Sequence, residues 1–125
     1  MTNNAFDFLF GSWRVHGNVE DNVINVPGGS YRAAAFRSYD PRTDAWSIWW
    51  LDARDPHTLD VPVVGSFIDG EGTFVAHDTL GGRPIVVRFR WLDTRTGAPL
   101  WEQAFSRDDG QTWEINWTMR FHRVV

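Results

Sequence analysis

The chain has 125 residues, 12 Arg and no Lys against 16 Asp and Glu, a formal net charge of −4, and no Cys. That length suits one domain, residues 1–125, with a core of its own. The charge excludes the basic footprint of a nucleic-acid binder, and the missing Cys excludes disulfides, thiolate metal sites and Cys nucleophiles.

No apolar stretch nears the roughly 20 residues of a transmembrane helix, and the N-terminus lacks a charged segment followed by an apolar one. A soluble, cytoplasmic protein with no membrane partner is therefore the expectation. Eight Trp, nine Phe and two Tyr are the unusual counts. Large rings bury about 150–250 Å² each. They either fill a solid core or line a ligand cavity.

In chain order, Asn4–Phe10 reads as a short helical turn. Turn signals then recur every 8–12 residues, the spacing of an antiparallel meander. They are Gly28-Gly29, Asp40-Pro41-Arg42-Thr43, Asp69-Gly70, Gly81-Gly82, Thr96-Gly97 and Asp109-Gly110. The runs between them predict strands over Ser12–Val19, Ser30–Tyr39, Ala45–Ala53 and Val63–Ile68. Four more are predicted over Gly72–Asp78, Pro84–Asp93, Pro99–Ser106 and Thr112–Arg123.

Alternation assigns faces. Ile85, Val87, Phe89 and Trp91 share one face, as do Trp101, Gln103 and Phe105. So do Trp113, Ile115, Trp117, Met119 and Phe121. About eight such strands predict an all-β, up-and-down barrel, closed or open on one side, with room for side chains or one small ligand. Over Ala45–Ala53 both faces carry bulk. Either the strand is covered on both sides, or Trp49 and Leu51 form a patch where a second subunit docks, giving a homodimer. The small residues of Tyr31–Ala35 mark where a cavity opens or strands pack closely.

Ser106-Arg107-Asp108-Asp109-Gly110-Gln111-Thr112-Trp113 matches the Asp-box pattern, Ser-x-Asp-x-Gly-x-Thr-Trp. Its carboxylate accepts backbone N–H groups within a turn, and its Trp packs beneath the hairpin. One copy makes a structural staple and no propeller.

Gly11-Ser12-Trp13, placed after the helical turn and at the head of the meander, is similar to the N-terminal signature of lipocalins and other calycins. That likeness implies Trp13 closing one barrel end with Arg123 across its ring. Nearly the whole chain resembles a bacterial lipocalin-like (calycin superfamily) domain family of unknown function. The resemblance rests on Phe6-Asp7-Phe8-Leu9, Asn18-Val19-Glu20-Asp21-Asn22, Ser38-Tyr39-Asp40-Pro41 and Trp49-Trp50-Leu51-Asp52. It continues through Asp78-Thr79-Leu80-Gly81-Gly82-Arg83-Pro84-Ile85, Trp101-Glu102-Gln103-Ala104-Phe105-Ser106 and Asn116-Trp117-x-Met119. It implies a calycin β-barrel and supplies no agreed substrate. The family pattern is longer between His16 and Asn18, by at least one strand and a Gly-rich loop, where this chain has only Gly17. A barrel lacking that segment is expected to be open on one side.

Haem-binding calycins use a late-strand His as the iron ligand, which draws attention to His122 among the four His. Its parity with Glu114 and Arg120 puts it on the wet face and argues against that role. His77 shares a strand with Thr73 and Val75 and is a candidate for facing inward. No His pair has metal-ligand spacing, and neither metal nor cofactor is expected. Asp52 and Gln103 are polar groups aimed inward by parity, and each needs a partner. Arg88 and Glu102 are placed to pair across strands on the outer face as a surface ion pair.

The function expected is non-covalent binding of a small, largely hydrophobic ligand in the barrel interior. Trp50, Trp101, Trp117, Met119 and Phe89 supply apolar contact, while Gln103, His77 and Tyr31 orient it. The alternatives are a small pocket enzyme of cyclase or isomerase type on a hydrophobic metabolite, and a solid-core oligomerising protein.

Overall fold

Local turn chemistry sets which segments of this chain pair with which. The structure, a computed structural model, describes residues 17–123. It has eight strands: β1 (Gly17–Val26), β2 (Gly29–Asp40), β3 (Ala45–Asp52), β4 (Val63–Ile68), β5 (Glu71–Leu80), β6 (Arg83–Leu92), β7 (Leu100–Ser106) and β8 (Glu114–Arg120). They form one antiparallel sheet in sequence order. Two of the hairpins are two-residue turns with positive φ at both positions, Asp69-Gly70 (52° and 80°) and Gly81-Gly82 (58° and 78°). That backbone twist matches the right-handed twist of the flanking strands, so these residues select neighbouring antiparallel pairs.

The sheet curls into a half-barrel whose concave face carries the core. Trp46 and Ile48 of β3, Val63 of β4, Phe74 of β5, Trp91 of β6 and Trp101 of β7 are buried together. Among the described residues β1 and β8 are its two edges, so the sheet they form is open. The expected helical turn, Trp13 and His16 lie outside the described residues, as does the Trp13 side of the expected contact with Arg123.

Three details differ from the alternation reading. The first strand runs to Val26 through Asn and Asp positions that disfavour β structure intrinsically. Register puts Asn18, Glu20, Asn22 and Ile24 on the concave side, opposite Arg37, Ala35, Ala33 and Tyr31. Val19 and Val23 therefore face out, 64% and 63% exposed. The inward polar row is not idle, because Glu20 Oε2 and Asn18 Oδ1 accept hydrogen bonds from Arg37 at 3.3 and 3.1 Å. Arg37 is only 5% exposed. Its burial pulls its pKa down from the usual guanidinium value, and Glu20 opposes that shift.

A bulge interrupts the last pair. Gln103 faces Trp117 but Ala104 faces Ile115, so Asn116 is the extra residue. One inserted residue reverses the faces beyond it. Trp117 and Met119 stay on the concave side, packed against the core with Phe121. Ile115 is turned out and exposed, and Trp113 lies on the outer side with the Arg88 guanidinium 4.2 Å from its ring centre. The expectation of five inward residues thus holds for three.

On that outer side Glu102 is buried rather than at the surface, with Arg90 3.2 Å and Arg88 4.0 Å away. Outside β3, Trp49 and Leu51 are half-buried against the loop after it, where Leu51 and Leu59 form an isolated bridge. The Asp-box forms as the pattern predicts. Asp108 Oδ1 accepts from Ser106 Oγ and from the Thr112 backbone N–H, both at 2.8 Å, while Gly110 N–H donates to Ser106 Oγ at 2.8 Å.

Candidate functional site

The concave face does not fill completely. A cavity of about 350 Å³ remains between β2, β3, β6, β7, β8 and the loop after β3. Ala33 and Ala35 are buried on the concave side of β2 and lie outside the cavity's lining; Ala35 borders only a constriction of about 20 Å³ beside it.

Six rings line the cavity: Tyr31, Trp50, Phe89, Trp101, Phe105 and Trp117. Each comes from an inward position of its strand. Trp117 stands at 87° to both Trp50 and Trp101, with centroids 6.1 and 5.1 Å away. Phe89 meets Trp101 edge-on at 5.0 Å. Such T-shaped contacts contribute about 0.5–1.5 kcal/mol per pair beyond burial and hold the rings in fixed orientations. The Trp50–Trp117 contact reaches across the fold from β3 to β8.

The polar part of the lining comes mainly from one loop. Its two ends are tied to the sheet by Ala53 N–H to the Arg32 carbonyl at 2.9 Å and by Asp60 N–H to the Trp50 carbonyl at 3.2 Å. Asp52 accepts from the Arg54 backbone at 2.8 Å and from its guanidinium at 2.7 Å. The Arg54 guanidinium in turn lies 3.6 Å above the Tyr31 ring. Hydrogen bonding from Arg54 holds the Asp52 carboxyl below its usual pKa. Asp60 is shifted the other way: burial of its carboxyl raises its pKa, and Asp78, Asp52 and Asp55 add to the effect. Gln103 donates from Nε2 to Asn116 Oδ1 at 3.0 Å, so the bulge residue positions it. Its carbonyl oxygen remains for another donor.

Of the eight expected ligand residues, Tyr31, Trp50, Phe89, Trp101, Gln103 and Trp117 meet in this cavity. Met119 lines a constriction of about 20 Å³ beside it, shared with Trp50, Phe89 and Trp101. His77 does not belong. It pairs with Val86 on the outer side of β5 and is exposed, because Phe74, Ala76 and Asp78 take the inward positions. His57 lies on the outer surface beside Trp49, and His122 is exposed.

Arg54, Asp55, Thr58 and Asp60 belong to the lining and escaped the strand-parity argument, since they sit in a loop without periodicity. Phe105 was legible, having the parity of Trp101 and Gln103. Among the described residues no group of three or more His, Asp or Glu is arranged to hold a metal ion.

The arrangement can hold an apolar body against the rings and present polar groups to it from the side of the loop. Compared with protein-family models, curated proteins and solved structures, the chain finds no match.

Proposed function

We propose that this protein binds a small, largely hydrophobic molecule on the concave face of a calycin-type half-barrel. The observation carrying this reading is the convergence of six aromatic rings on a space of about 350 Å³. That volume lies within the range of ligand sites, about 300–1,000 Å³, and the lining sets six rings beside six polar or charged residues. A solid-core role fits less well, since rings of this size could have been packed against one another without the void. Catalysis has less in its favour, because the two polar groups that strand parity aims inward, Asp52 and Gln103, are engaged by Arg54 and Asn116.

Intrinsic Trp fluorescence titrated with a broad panel of hydrophobic metabolites tests the reading. A saturable, one-site change with at least one of them is expected, weakened at least about ten-fold by Trp101→Ala, which removes one wall of the cavity. A flat response across the panel overturns it.

A further inference from the structure

We propose that the ligand of this cavity is a cation, an amine or quaternary ammonium carried on an apolar body, held by the aromatic walls and the carboxylates of the loop after β3. This rests on the binding role proposed above and adds the charge of the molecule bound.

The first observation is the sign of the lining. Three carboxylates, Asp52, Asp55 and Asp60, border the cavity against one guanidinium, Arg54. Asp52 already neutralises Arg54 at 2.7 Å. Asp55 and Asp60 have no ion-pair partner among the described residues. A fourth carboxylate, Asp78, joins Asp60 in lining the adjoining depression of about 140 Å³, which shares Trp50, Phe89 and Gln103 with the main cavity. Like charges gathered beside low-dielectric walls raise one another's energy, and a cation entering between them relieves it.

The second observation is the chemistry of the walls. Aromatic faces carry negative quadrupole potential and attract ammonium groups, most strongly when water is excluded. Six of the twelve lining residues are rings, three of them Trp, the ring that attracts cations best. One example of the recognition is already built in: Arg54 lies 3.6 Å over the Tyr31 ring while Asp52 holds its charge. A ligand cation beside Trp50 and Asp60 would repeat that pairing of ring and carboxylate on the open side of the cavity. An anionic ligand would face two uncompensated carboxylates and find the cavity's guanidinium engaged. A neutral one would gain from the rings alone.

Benzyltrimethylammonium and neopentylbenzene test the charge directly, since they are the same shape with nitrogen or carbon at the branch point. Binding of each is measured by Trp fluorescence to the intact chain and to Asp60→Asn and Asp55→Asn variants, whose folding is checked by unfolding midpoint. The cation should bind about ten-fold more tightly than the neutral isostere, a difference within the reach of cation–π attraction combined with a carboxylate. Each substitution should weaken the cation several-fold and leave the neutral probe unchanged. Two variants guard against one failing to fold. Equal or tighter binding of neopentylbenzene, or indifference of the cation to both substitutions, overturns the charge assignment while leaving a hydrophobic binder intact. Silence toward both probes, together with a flat response to the metabolite panel, removes the binding role as well.

Discussion

Gly65 sits where the β4 and β5 backbones approach closely, and replacing it tests that packing directly. It lies in β4 opposite both Trp46 and Phe74, the two most deeply buried rings of the core. A Cβ placed there would fall 1.9 Å from the Thr73 carbonyl oxygen and 2.9 Å from the Phe74 Cα, all of it backbone. In Gly65→Ala the carbonyl must therefore recede by more than 1 Å to clear the 3.0 Å limit of real contacts. That displacement overpacks the core, costing about 1–3 kcal/mol, and weakens one or two ladder hydrogen bonds at about 1 kcal/mol each. A loss of about 3 kcal/mol is expected, a large share of the roughly 5–15 kcal/mol that stabilises a domain. In urea unfolding followed by Trp fluorescence the midpoint should fall by about 1.5–2 M. A change below about 0.5 kcal/mol, the range of ordinary surface substitutions, would refute the close approach of β4 and β5.

Asp108 should make the Asp-box acid-labile. Its pKa in the folded chain is lowered to about 2 by hydrogen bonds from the Thr112 hydroxyl and backbone and from Ser106. A depressed acid stabilises the fold above its ordinary pKa and loses that contribution as pH falls toward the folded value. The stability gap between the parent chain and Asp108→Asn should thus be full above pH 4 and close toward pH 2; a gap that persists below pH 2 would exclude the carboxylate as its source. Glu20→Ala should cost about 1–3 kcal/mol, because it strips a hydrogen-bonded charge from buried Arg37. Combining Glu20→Leu with Arg37→Met should cost less than Glu20→Ala alone, and a larger cost in denaturant unfolding would count against a desolvation penalty at that pair.

Much of this architecture was legible in the sequence because its local signals agree. From β2 to β8, Gly and Asp turns bound runs of β-branched and aromatic residues, and the strands fall within a few residues of their expected limits. The ring cluster was legible for the same reason: Trp50, Phe89, Trp101 and Trp117 share their inward parity with other apolar residues of their strands. What escaped has physical causes. The polar run Asn18–Asn25 becomes a strand through pairing with β2 and the contact of Glu20 with Arg37, which no propensity reports. A bulge at Asn116 costs no special residue, so alternation carries Ile115 and Trp113 to the wrong face. His77 was placed by a strand pattern in which Thr73, Val75 and His77 look as inward as Phe74 and Ala76. Asp52 was legible by parity, whereas Asp55 and Asp60 were missed because loop residues are located by hydrogen bonds such as Asp60 N–H to the Trp50 carbonyl, and periodicity contains no information on those.

The eight Trp make the proposed binding site observable residue by residue. In a nitrogen-15 correlation spectrum of the indole N–H groups, a bound ligand should shift Trp50, Trp101 and Trp117, which line the cavity. Trp49 and Trp113 lie on the outer side and should stay in place. Saturable shifts confined to the first three would match the account; movement of Trp49 or Trp113 alone, with the inner three fixed, would contradict it.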